Sequence, residues 1–116
     1  MFFQTRLAVC ALASACTASL LATSTVSAAG DVKAGRQKAL QCQTCHGLDG
    51  EAKLPEAPNL AGQSEVYLIK SMQDYRTGAR KNDMMSLVAP ELKDQDIADL
   101  AAYYAAIPVT VGAPPK

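Results

Sequence analysis

The stretch Cys42-Gln43-Thr44-Cys45-His46 is the feature that most narrows what this chain can become. It places two thiols and the chain's single histidine on one short turn. Wound helically, Cys42 and Cys45 stand at i and i+3 on one face, and His46 lies one position further round. This is the C-x-x-C-H spacing of covalent c-type haem attachment. The thiols can form thioethers to two adjacent vinyl groups at a haem edge. The imidazole can then reach the iron from one side, so attachment also fixes the proximal ligand.

A bare C-x-x-C also serves zinc sites and thiol redox pairs, and the rest of the chain bears on that choice. Residues 1–28 have the build of a secretory signal peptide. Met1 to Arg6 gives a short positive start, Leu7 to Leu21 is apolar and small, and Val26-Ser27-Ala28 ends in residues a signal peptidase accepts. A retained anchor fits less well, because the run contains Ser14, Thr17 and Ser19 and falls short of the roughly 20 apolar residues of a spanning helix. A lipoprotein signal through Cys16 lacks the large aliphatic residue usually found three places upstream. Cleavage after Ala28 or Ala29 removes Cys10 and Cys16. Cys42, Cys45 and His46 then complete the inventory, one ligand short of the usual closed zinc site. Export implies an oxidising compartment, in which Cys42 and Cys45 could pair as a disulfide. The sequence lacks the strand, helix, strand pattern that accompanies a thioredoxin-like pair.

The chain carries 11 basic and 11 acidic residues. Losing Arg6 with the leader leaves it close to neutral, with no basic stripe for nucleic acid. About 88 residues remain, one domain with a thin core of its own. A buried macrocycle would supply much of the missing apolar interior.

In chain order, Asp31 is a candidate N-cap for a first helix from Val32 to about Gln41. Val32, Gly35, Ala39 and Leu40 are expected inside, and Lys33, Arg36 and Lys38 mostly outside. Gly35 costs a helix interior roughly 0.5–1 kcal/mol relative to Ala, so it signals close approach of another element. Gly47 to Gly62 has no sustained period and reads as an irregular loop, in which Ala57-Pro58-Asn59-Leu60 is placed to offer His46 a backbone carbonyl. Ser64 can cap a second helix over Glu65 to Thr77 that stops at Gly78. Its face comprises Leu68, Met72 and Tyr75, joined by Val66 and Ile69. Met72 is expected in the core, and Tyr67 and Tyr75 are packing residues or hydrogen-bond donors. Met84 and Met85 follow an exposed Arg76 to Asn82 connection. A thioether opposite histidine suits a haem to electron transfer, and two adjacent methionines cannot both face one iron. The last helix runs from about Asp94 to Ala106. Ile97, Leu100, Ala101, Tyr103 and Tyr104 form its apolar face, Asp94, Asp96 and Asp99 favour its N-terminal half, and Pro108 ends it. Val109 to Lys116 reads as a loose tail.

These residues resemble the class I c-type cytochromes. The resemblance rests on Gly30-Asp31-Val32 with Gly35, Cys42 to His46, Pro58-Asn59-Leu60 with Gly62, Met85, and Asp99-Leu100-Ala101-Ala102-Tyr103. It is nearest to short bacterial single-haem cytochromes and to one half of a dihaem cytochrome c4. It implies an all-α fold over residues 29–108, with crossing N- and C-terminal helices around one covalent haem c, and a flexible tail over 109–116. It further implies that Gly35 meets Tyr103, that the Pro58 carbonyl accepts from His46, and that Met85 rather than Met84 is the axial partner of His46. Lys93 stands where many relatives have a Ser cap, which would shift the cap to Asp94, and Ala57 replaces a common Gly.

The function so implied is an exported, periplasmic electron carrier, free or as a subunit of an oxidoreductase system, rather than an enzyme. It would be a monomer that meets redox partners transiently, with Lys53, Arg76, Arg80, Lys81 and Lys93 as a weak docking rim. A haem enzyme or gas sensor with an open distal site is the alternative, and a thiol redox module the third reading.

Overall fold

The computed structural model describes residues 29–116, so the expected leader, Cys10 and Cys16 lie outside the described residues. The elements are α1 (Val32–Lys38), α2 (Gln43–His46), α3 (Glu65–Thr77), α4 (Met85–Val88) and α5 (Asp94–Ala105), with tighter 3-10 turns at Ala39–Gln41 and Ala89–Glu91. Among the described residues there is no strand, as an all-α fold requires.

α1 begins at Asp31, whose extended backbone lets its carboxylate accept the Ala34 N–H at 2.6 Å. That bond satisfies one of the donors every helix start leaves unpaired. The helix is shorter than expected: α winding stops at Lys38 and tightens over Ala39–Gln41. Residues advance about 120° there instead of about 100°. Ala39 is fully buried while Leu40, expected inside, is 46 % exposed. Val32, also expected inside, lies on the open first turn and is 47 % exposed.

α5 is the element around which the others pack, with Ile97, Leu100, Ala101 and Tyr104 buried against α1 and α3. Each large aliphatic side chain so buried contributes about 1.5–3 kcal/mol relative to exposure. The α1–α5 crossing has no room for a side chain at Gly35. A Cβ there would lie 2.0 Å from the Asp99 carbonyl oxygen and 2.7 Å from the Tyr103 Cβ. The expected meeting of Gly35 and Tyr103 is therefore a backbone-on-backbone contact.

Asp99 does more than complement a helix dipole. Its carboxylate, 3 % exposed, accepts the Asp31 N–H at 2.9 Å, the Gln95 Nε2 at 2.8 Å and the Lys38 ammonium. The Asp31 N–H and then Lys38 hold its carboxyl down at about 2. Lys38, expected mostly outside, thus reaches across to α5, where Asp99 and Asp96 hold its pKa above the usual lysine value.

α3 occupies the expected span and ends at Gly78, whose φ of 79° is the left-handed helix stop. Ser64 is at its N-cap position, but the hydroxyl makes no capping bond; the Ser64 carbonyl accepts the Leu68 N–H at 3.0 Å. Leu68 is buried, and Ile69, Met72 and Tyr75 are half-buried. Val66, expected on this face, is 77 % exposed, because it lies about 200° round the helix from Leu68. Arg76 joins the end of α3 to the start of α5 by donating to Asp94 and to the Leu92 carbonyl. The expected shift of the α5 cap to Asp94 is not what forms. Lys93 takes the N-cap position and, having no acceptor of its own, has its N–H bound by the Asp96 carboxylate at 3.0 Å. Residues 109–116 carry no regular structure.

Candidate haem site

A single helical turn such as α2 cannot hold itself in water, and the structure fixes it from outside. Gly47 ends the turn with φ 71° and ψ 148°, a region open essentially to glycine alone. A Cβ there would meet Asp49 Oδ1 at 2.2 Å and the Glu51 carbonyl oxygen at 2.4 Å. The chain then folds back, and the Lys53 N–H donates to the Cys45 carbonyl at 2.8 Å. Two neighbouring tyrosines of α5 complete the hold. Tyr103 donates its hydroxyl proton to the Leu48 carbonyl at 2.7 Å, and Tyr104 donates to the Gly47 carbonyl at 3.2 Å. Burial pushes the Tyr104 phenol up, which keeps it a donor. From sequence these rings read as part of the apolar face of α5; the signal for their bonds is that a buried tyrosine hydroxyl needs a partner.

The loop from Gly47 to Gly62 is irregular, as expected, yet closely tied. Leu60 and Ala61 donate to the Gly50 carbonyl at 2.8 and 3.1 Å, Ala52 donates to Asn59 Oδ1 at 2.8 Å, and Gly62 donates to the Tyr104 carbonyl at 2.9 Å. These bonds set Pro58 against the motif. His46 is buried, and its Nδ1 lies 2.9 Å from the Pro58 carbonyl oxygen. A carbonyl can only accept, so Nδ1 carries a proton, and in the neutral ring the lone pair is on Nε2. That is the tautomer a metal-bound imidazole needs.

Cys42 and Cys45 are both free thiols and both half-buried. Cys42 packs on the cluster of Ala39, Leu68, Leu100, Ala101 and Tyr104. Burial, and then the neighbouring Cys45, push its thiol up to about 11. An attacking redox thiol needs the opposite shift, so the environment disfavours the thiol-exchange reading. Among the described residues, no three His, Cys, Asp or Glu side chains gather as a metal cluster. The donor set fits haem c. Two unpaired thiols stand beside an imidazole of fixed tautomer, and the neighbouring core supplies apolar surface.

Met85 belongs to a different framework. It opens α4, which packs on α3 and on the Ala89–Glu91 turn. Met85 is half-buried, whereas Met84 is 62 % exposed. Met72 is half-buried on α3. The structure therefore gathers Cys42, Cys45, His46 and Pro58 through one set of bonds and holds Met85 through another. Of the expected docking cations, Lys53 is paired with Asp49, Arg76 with Asp94, and Arg80 lies over the Tyr75 ring at 4.8 Å. Lys81 and Lys93 make no ion pair among the described residues.

Comparison with known proteins agrees with this geometry. The family model described as Cytochrome c matches residues 32–106. The chain is 48 % identical over 85 residues to cytochrome c4 of Pseudomonas aeruginosa, covering 73 % of this chain and 42 % of that protein. It is 49 % identical over 79 residues to cytochrome c-554(548) of Halomonas halodenitrificans, covering 66 % of this chain and 95 % of that one. The crystal structure of reduced recombinant cytochrome c4 from Pseudomonas stutzeri superposes with a TM-score of 0.66 at 41 % identity, over 72 % of this chain and 49 % of that one. The chain thus spans at most about half the length of the cytochromes c4 it matches. It belongs to the cytochrome c family, and Cys42 to His46 is its motif for covalently bound haem c.

Proposed function

We propose that this protein is an exported, periplasmic monohaem cytochrome that passes single electrons between redox proteins, with His46 and Met85 as axial iron ligands. One observation carries the reading: the bond from His46 Nδ1 to the Pro58 carbonyl, formed beside two free thiols, prepares Nε2 for iron. Haem c, when bound, supplies the one-electron Fe(II)/Fe(III) couple. The chain's own part is to keep that couple reversible. Cys42 and Cys45 hold the cofactor against loss outside the cytoplasm. Pro58, tied through the Gly50 carbonyl and Gly62, keeps the His46 ring and its proton fixed in both oxidation states. Met85 offers a soft thioether, which raises the potential and suits carriage rather than substrate chemistry.

Residues 1–28 act as a cleaved export signal, residues 29–108 form the cytochrome domain, and 109–116 are a tail. No helix among the described residues is long and apolar enough to cross a membrane. The domain acts as a monomer and docks transiently through a small interface, with Lys81 and Lys93 contributing weak electrostatic guidance.

The test is to produce the chain in a host with haem-attachment machinery, denature and acid-extract it, and record its mass and absorbance. One retained haem and a reversible one-electron redox titration are expected. An apoprotein mass would end the haem reading, and ready carbon monoxide binding by the unmodified ferrous protein would replace the carrier with an open-site sensor or enzyme.

A further inference from the structure

The turn that presents Met85 is held by its own polar clasp. Asn82 Oδ1 accepts the N–H of Met84 at 3.1 Å and of Met85 at 3.0 Å. The Asn82 N–H donates to Ser86 Oγ at 3.0 Å, and the Ser86 N–H returns to the Asn82 carbonyl at 3.0 Å. Four bonds thus run between Asn82 and the three residues from Met84 to Ser86, none reaching another part of the fold. α4 itself is four residues long, well below the length at which a helix sustains itself. Without the clasp, the Met84 and Met85 amides lose their acceptor, and the direction of the Met85 side chain is no longer set.

We propose that Asn82 is a positioning residue for the distal iron ligand, and that its clasp, not the hydrophobic core, sets how often Met85 leaves the iron. The inference rests on Met85 being that ligand. A small ligand for ferric iron, such as imidazole, binds only when Met85 is away, so its apparent affinity scales with the fraction of molecules in that open state. Removing an N-cap acceptor typically shifts a local equilibrium about five-fold, and apparent imidazole affinity moves by the same factor.

The experiment titrates imidazole into the ferric holoprotein and follows the methionine-to-iron charge-transfer band. The variants are Asn82→Ala, Asn82→Asp, Ser86→Ala, Met85→Ala and Asp31→Ala. Asn82→Ala is expected to bind imidazole about five-fold more tightly, and Ser86→Ala to shift in the same direction by less. Asn82→Asp keeps an acceptor at the same place and restores the original affinity. Asp31→Ala removes the equivalent cap from α1, lowering thermal stability without changing imidazole affinity; this separates positioning from general weakening. The proposal is overturned if Asn82→Ala leaves the affinity unchanged while Met85→Ala abolishes the band, or if Asp31→Ala shifts the affinity as far as Asn82→Ala does. A band that survives Met85→Ala refutes the ligand assignment itself, a separate failure.

Discussion

The two sides of the proposed iron site are held in different ways. On the His46 side a single turn is fastened from outside itself, by Pro58 and Lys53 of the following loop to the ring and to Cys45, and by the Tyr103 and Tyr104 hydroxyls of distant α5 to Leu48 and Gly47. On the Met85 side, α4 packs on α3, but the side-chain hydrogen bonds that hold the turn come from Asn82 and Ser86, its own close neighbours in sequence. Long-range bonds break only when the domain opens, whereas a local clasp can open by itself. If Met85 is the distal ligand, the His46 side is expected to stay ordered and the Met85 side to be the one that yields.

The largest effect is expected where the His46 side depends on the helix crossing. Gly35→Val puts a branched side chain against the Asp99 carbonyl and the Tyr103 Cβ. Backbone cannot move aside as a flexible side chain does, so stability falls by about 3 kcal/mol. Denaturant unfolding of the ferric holoprotein measures that loss. If the crossing absorbed valine without cost, the His46 side would not depend on α1 and α5 as described.

A smaller effect tests the same side electrostatically. The Asp99 carboxyl is held at about 2 in the fold and returns to about 3.9 in the unfolded chain. A depressed folded pKa gives stability that is fully present above the unfolded value and is lost as pH falls from about 4 towards 2. Asp99→Asn should cost about 2 kcal/mol near neutral pH and flatten the stability curve across that acid window. A variant whose acid unfolding runs parallel to the unmodified protein would place the acid sensitivity elsewhere.

Much of this architecture was legible in the sequence, and the gaps have physical causes. The Cys42 to His46 motif, the span of α3 from Ser64 to Gly78 and the close approach at Gly35 come from local chemistry: ligand spacing, a left-handed stop, a missing Cβ. Side-chain destinations across the fold were not legible. Lys38 and Asp99 read as outward charge and dipole complement because their partners lie 61 positions apart, and no local pattern records such a pairing. Leu40 turned outward because the winding tightened after Lys38, a change of about 20° per residue that apolar periodicity does not show. Asn82 reads from sequence as part of an exposed connection. An Asn two or three residues before a short helical turn is a capping signal, and here it precedes the two methionines.

Substituting Met85 is read by spectrum rather than by stability, and it reports most directly on the central claim that a fixed His46 and a locally held Met85 together make the iron site. The measurement is the ferric absorbance spectrum of Met85→Ala beside that of Met84→Ala. The methionine-to-iron charge-transfer band should vanish in the first and persist in the second. A band that persists in Met85→Ala and vanishes in Met84→Ala would contradict the account.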